Sequence, residues 1–273
     1  MVGFMANPLL TDKAMGLGNL DKPNNTWAPP TTSQPVTDGP VSRWDGGIMT
    51  VAGTASATIM LLILILASAT ATWISIDAPA VGDVVKIPMA WVIGGFIIGF
   101  IAVITASFKP HLARIAAPIY ALAEGVVLGA ISRAYSEAYD GIVLQAVGAT
   151  LGVFVVMLLL YRSRIIKVTD RTRRIVYGAM MGLMAFYFVS FIFGMFGSMP
   201  SFINNASPMG IAFSVFVAGL AAFNLALDFD MIEKGVANKL PAHMEWFAAL
   251  GVVVTLVWLY LEILRLLSKL RDR

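Results

Sequence analysis

Seven long apolar runs follow one another along the chain after residue 50, at about 51–76, 88–108, 115–134, 142–161, 175–196, 209–227 and 247–267. Each has about 20 residues, the length a helix needs to cross roughly 30 Å of hydrocarbon. The runs are continuously apolar, whereas a barrel strand would alternate over about ten residues at a time. They therefore predict an all-α integral membrane protein, a bundle of seven transmembrane helices over residues 49–273. Residues 1–48 have another character, with Pro, Asn, Thr, Asp and Gly in no periodic order, as in Asn24–Asn25–Thr26–Trp27–Ala28–Pro29–Pro30. They lack the basic-then-apolar order of a cleaved leader and predict a disordered tail. Within it, the apolar patch Asn7–Pro8–Leu9–Leu10 is a candidate for docking on the bundle or on a partner.

Composition supports the membrane assignment: 58% of residues are hydrophobic and 13% charged, against roughly 25% charged in a soluble domain. The chain has no cysteine, which excludes disulfides and thiolate metal sites. Seven crossings place thirteen Lys and Arg residues on the side of the amino terminus and six on the other. The positive-inside rule then predicts a cytoplasmic amino terminus. The basic end, residues 269–273, falls on the opposite side and goes against that rule locally. Six positive charges between Arg162 and Arg174 hold that loop on its side of the membrane, with anionic headgroups as sufficient partners and no nucleic acid implied. Gly95 and Gly99, Gly148 and Gly152, and Gly178 and Gly182 form Gly-x-x-x-Gly pairs, which are expected to let helix backbones approach closely.

Candidate chemistry lies in the acids at membrane depth, where a carboxylate is costly and by default marks function. Asp228 and Asp230 end the sixth run, Glu262 sits deep in the seventh, and Glu124 lies in the third. Asn224 and Asp228, four apart, share a helix face, and Gln145 opens the fourth run. Two carboxylates facing one cavity repel, so one keeps a proton unless a cation replaces it. Calcium prefers hard oxygen ligands and needs them ionised, so the arrangement predicts competition between protons and a divalent cation. A structural reading stands beside it: Glu262 pairing with Arg265, and Asp230 with Lys234 four residues on. Catalysis is not expected. The two histidines, His111 and His243, have no metalloprotease spacing, and neither a nucleophile elbow nor a phosphate loop occurs. The acids also lack the contexts of an intramembrane aspartyl protease.

Leu225–Ala226–Leu227–Asp228–Phe229–Asp230–Met231–Ile232–Glu233, Glu124–Gly125 continuing to Leu128–Gly129, and Tyr260–Leu261–Glu262–Ile263–Leu264 together resemble the transmembrane Bax inhibitor motif family. The likeness covers about residues 50–270 and is closest to the bacterial YccA-type branch, with its extended amino-terminal tail. It implies a multipass protein of the bacterial cytoplasmic membrane whose last helix is central, and a pH-sensitive calcium leak without cofactor. It also implies an acid on the sixth helix and one on the last sharing a proton-sensitive contact, with an arginine before the third helix latching the first. Asp230 and Glu262 match the two acids and would be the proton sensor and calcium ligands. Asp228 and Glu124 rank behind them on the pathway, and Arg114 is the nearest latch. Two departures stand out: the second acid is Glu rather than Asp, and 32 positions separate the pair where about 25 are expected. The extra seven would displace one acid by about 10 Å if all were helical.

Another class of function fits the same chain: a membrane-embedded regulator of a membrane protease or stress response, acting through the tail and without transport. A proton-coupled carrier would call for an inverted repeat, and none is visible.

Overall fold

The computed structural model describes residues 47–77, 87–195 and 205–273. Among the described residues, seven helices are long and apolar enough to cross a membrane: α1 (Val51–Ser75), α2 (Met89–Phe108), α3 (Ala113–Ala138), α4 (Ile142–Arg162), α5 (Asp170–Met195), α6 (Pro208–Ala237) and α7 (Met244–Arg271). A single 3-10 turn, Pro110–Leu112, joins α2 to α3. Among the described residues there is no strand, only an isolated antiparallel bridge between Ile48 and Pro241. The tail expectation, residues 1–48, falls almost wholly outside the described residues.

Local sequence sets the helix ends. Thr50 caps α1 by accepting the Gly53 N–H, and Ser207 caps α6 by accepting that of Gly210, with Pro208 at the first helical position. Gly141, at φ +70°, makes the left-handed turn from α3 into α4. All seven apolar runs become helices, but α3, α6 and α7 outlast their runs. The largest difference is at α6, which continues ten residues past position 227. Hydropathy marks only the part of a helix that meets hydrocarbon, and thirty residues span about 45 Å. Asp228 and Asp230 therefore sit in the body of α6 rather than at its end.

The last helix is central, as the resemblance implies. In its most apolar 18 residues, 72% are buried, against 17% for α5 and 28% for α1. It lies directly against α1, α2, α3, α4 and α6, while α5 packs on α6 and reaches α7 through side chains. Consecutive helices alternate in direction. The start of α1 and the α4–α5 and α6–α7 connections meet on one side, through Thr50 with Glu245 and Arg164 with Glu233. On the other, Arg271 reaches the Asp140 carbonyl and Gln145, and Tyr139 donates to Asp272. The two ends of the bundle thus lie on opposite sides. Outward faces carry Ile63, Phe96, Phe100 and Phe191, more than half exposed, as lipid rather than water permits.

Helix contact comes from small residues, since lipid is as apolar as leucine and gives no hydrophobic drive. Gly95 sits beneath the Ala123 carbonyl and Val127, and Gly99 faces Tyr120 and Glu124, so that pair packs α2 on α3. The other two expected pairs do not pack: Gly148, Gly152, Gly178 and Gly182 have open space where a Cβ would stand. Their spacing is right, but their face of the helix points away from the bundle. The tightest approach uses Gly125 and Gly129 of α3, which lie on the backbone of α1 at Ile65 and Ala69.

Candidate functional site

The polar residues at depth collect along the antiparallel pair α6 and α7. Thr255 of α7 faces Asp228, and Lys269 faces Ser214. In this register α6 position i lies opposite α7 near 483 − i. Glu262 is therefore level with Ala221, nine residues, or about 13 Å of helix axis, from Asp230. The expected Asp230–Glu262 pair does not form. Asp230 lies toward the amino-terminal side of the bundle and Glu262 toward the other. The long separation in sequence is helix rather than loop, because α6 runs on to Ala237 and α7 begins at Met244.

Three polar levels result. On the first, Asp230 is buried and held by the Arg173 guanidinium of α5 and by Lys234 Nζ at 3.0 Å. Just beyond it, Glu233 takes Tyr161 and Arg164 from the end of α4 and its following turn. An arginine does pair with Asp230, but it is Arg173, in the first turn of α5, and not Arg114, which stands exposed at the start of α3. The basic stretch between Arg162 and Arg174 thus lends one of its charges to the bundle.

On the second level, Thr255 Oγ1 donates to Asp228 Oδ2 at 2.7 Å, and Asn224 Nδ2 donates to Thr255 Oγ1 at 2.9 Å. Thr255 has one hydroxyl proton, and the Gly251 carbonyl at 3.1 Å competes for it. Asp228 is half-buried, and no described cation pairs with it. Asp228 also lies 27 positions before Thr255, close to the separation of about 25 that the resemblance assigns to its two acids.

On the third level, Glu262, 2% exposed, accepts from Arg265 Nη1 at 2.7 Å, and Arg265 also reaches Tyr187 of α5. The other Glu262 oxygen is buried without a hydrogen-bond partner among the described residues. Lys269, 3% exposed, donates to the Gly210 carbonyl at 3.1 Å and to Ser214 Oγ at 2.9 Å. Both structural pairings expected from spacing, Glu262 with Arg265 and Asp230 with Lys234, are present.

Glu124 stands apart from these levels, half-buried on α3 against Gly99 of α2. Among the described residues, no group of three or more acids or histidines lies close enough to hold a metal ion. Asp230 and Glu262, offered as calcium ligands, each face more positive than negative charge. Of the four candidate acids, Asp228 and Glu124 are the two without a cation partner among the described residues. Sequence reading missed Arg173, Thr255 and Lys269. Thr255 was findable by the spacing of about 25 and Lys269 by its place two turns after Glu262; nothing in the sequence singled out Arg173 among its basic neighbours.

A family model described as Bax inhibitor 1 like matches residues 7–272 of the chain. No curated protein and no solved structure matches it.

Proposed function

We propose that this chain, which belongs to the Bax inhibitor 1 like family and is a multipass membrane protein, is a pH-sensitive calcium leak channel of the bacterial cytoplasmic membrane with Asp228 as its titrating pathway acid. The observation that carries the reading is Asp228 against the central helix, hydrogen-bonded by the neutral Thr255 and without a cation partner among the described residues. Around it, Asn224 and Gly251 are neutral, and the nearest charges in sequence belong to the Asp230–Arg173–Lys234 cluster two residues on. Asp230 and Glu262 already have protein cations to balance them. Asp228 is left to a proton or an entering cation.

Ionised, Asp228 presents hard oxygens, to which Thr255 Oγ1, the Asn224 amide oxygen and the Gly251 carbonyl can add; calcium favours that kind of ligand. Protonated, it offers no charge. Flux through this level therefore falls as pH falls. The Arg173–Asp230 pair ties α5 to α6 at one end, and the hydrogen bonds of Arg265 and Lys269 tie α7 to α5 and α6 at the other. In this reading the protein catalyses no reaction and carries no cofactor; calcium is cargo.

The test is calcium uptake by liposomes holding the purified protein and an entrapped dye, across about pH 5 to 8. Wild type should take up calcium faster at pH 8 than at pH 5. Asp228→Asn should lower the pH 8 rate at least about tenfold, equivalent to ~1.4 kcal/mol, and flatten the profile, while Asp230→Asn retains a pH-dependent profile. A folded Asp228→Asn protein with the wild-type profile would remove Asp228 from the mechanism. A wild type without flux at any pH would end the leak reading.

A further inference from the structure

The four residues that lead into α1 are fastened to the α6–α7 hairpin far more firmly than a helix lead-in requires. The Met49 N–H donates to the Leu240 carbonyl at 2.7 Å, and the Ala242 N–H donates to the Gly47 carbonyl at 2.9 Å. These two bonds flank the antiparallel bridge between Ile48 and Pro241. Proline fits there because the central pair of that pattern exchanges no hydrogen bond of its own, so its missing N–H is not needed.

Side chains add to the backbone ties. Met49 is 2% exposed, with its sulfur over Gly235, where any Cβ would stand 2.7 Å from it. Gly235 follows Lys234, the residue that pairs with Asp230, so Met49 presses on the turn carrying that ion pair. Thr50 gives both its N–H, at 2.7 Å, and its hydroxyl, at 2.8 Å, to Glu245 Oε1 in the first turn of α7. Glu245 is 5% exposed, and its carboxylate occupies the space a side chain on Gly53 would need. A carboxylate beside the first turn of α1 also complements the positive end of that helix.

We propose that residues 47–50 are a strap that sets how readily the α6–α7 hairpin opens, and with it the helix turn that carries the Asp230–Lys234 ion pair. Pulling the strap out removes Met49 from Gly235, frees the Leu240 carbonyl and the Ala242 N–H, and leaves Glu245 without its donors. Each of these falls on α6, α7 or the turn between them. The helix that carries Asp228 and Asp230 is thereby joined to residues 47–50 by contacts that no lipid-facing helix end could provide.

Hydrogen exchange on the full-length protein in lipid nanodiscs tests this. Met49→Ala combined with Thr50→Val is expected to speed amide exchange at least tenfold over residues 230–245, leaving the middles of α2 and α4 unchanged. Faster exchange confined to residues 47–50 would overturn the proposal. Because the chain has no cysteine, Ile48→Cys with Pro241→Cys gives a second test should the first variant not fold. Antiparallel neighbours of this kind stand within disulfide reach. Oxidised, this protein should exchange more slowly over 230–245 than after reduction. Equal exchange in the two states would mean that the strap does not govern the hairpin.

Discussion

Gly125→Val is expected to leave little folded protein, whereas Gly178→Val should fold as wild type does. At Gly125 a Cβ overlaps the Ser68 hydroxyl and stands 2.6 Å from the Ile65 carbonyl; at Gly178 it meets nothing. A side chain can rotate away, but a carbonyl inside a helix is fixed by its own hydrogen bond. Helix α1 must therefore move off α3 as a body. Overpacking typically costs about 1–3 kcal/mol when side chains can adjust, so more than about 3 kcal/mol is expected here. Gly129, beneath the Ala69 carbonyl, should behave in the same way. Gly178→Ala should be neutral or up to about 1 kcal/mol stabilising, since alanine is the better helix former. Thermal unfolding in detergent, with the fraction folded read by gel filtration, compares the variants directly. A Gly125→Val protein as stable as Gly178→Ala would mean that α1 and α3 do not pack as described.

The same contrast shows what could be read from the sequence. Seven apolar runs give seven helices, because the length needed to cross a bilayer and the composition it tolerates are both properties of a single segment. Which face of a helix meets a neighbour is a property of two segments. Gly178 and Gly182 have the same spacing as Gly125 and Gly129, yet one pair faces outward and the other carries the closest helix contact. The acids follow the same division. Asp228, Asp230 and Glu262 stand out because they interrupt apolar sequence, and their i+3 and i+4 partners Arg265 and Lys234 lie within one helix turn. Arg173 and Thr255 come from other helices, brought there by the extension of α6 past its apolar run. That extension also moved Asp230 and Glu262 to opposite halves of the bundle.

Glu262→Gln is expected to destabilise the protein by about 3–5 kcal/mol, more than Arg265→Gln does. The reason is the third charge of the cluster. Lys269 is 3% exposed, donates to two neutral oxygens, and follows Glu262 by seven residues, two helix turns, on α7. Removing the carboxylate leaves that ammonium buried without a counter-charge, and breaking a buried pair in this way costs about 3–5 kcal/mol. Arg265 is different: its side chain is 38% exposed and can turn toward headgroups when its partner is lost. Removing Arg265 instead leaves Glu262 with Lys269 still nearby. The double substitution Glu262→Gln with Lys269→Met should therefore be at least about 2 kcal/mol more stable than Glu262→Gln alone, since it removes the stranded charge. Unfolding of Glu262→Gln, Lys269→Met, the double variant and wild type in mixed micelles measures the cycle, with Arg265→Gln beside it. If instead Glu262→Gln were as stable as wild type and flattened the pH dependence of calcium uptake, the carboxylate would be a sensor and not a counter-charge. The pathway would then extend through both halves of the bundle, from Asp228 past Glu262.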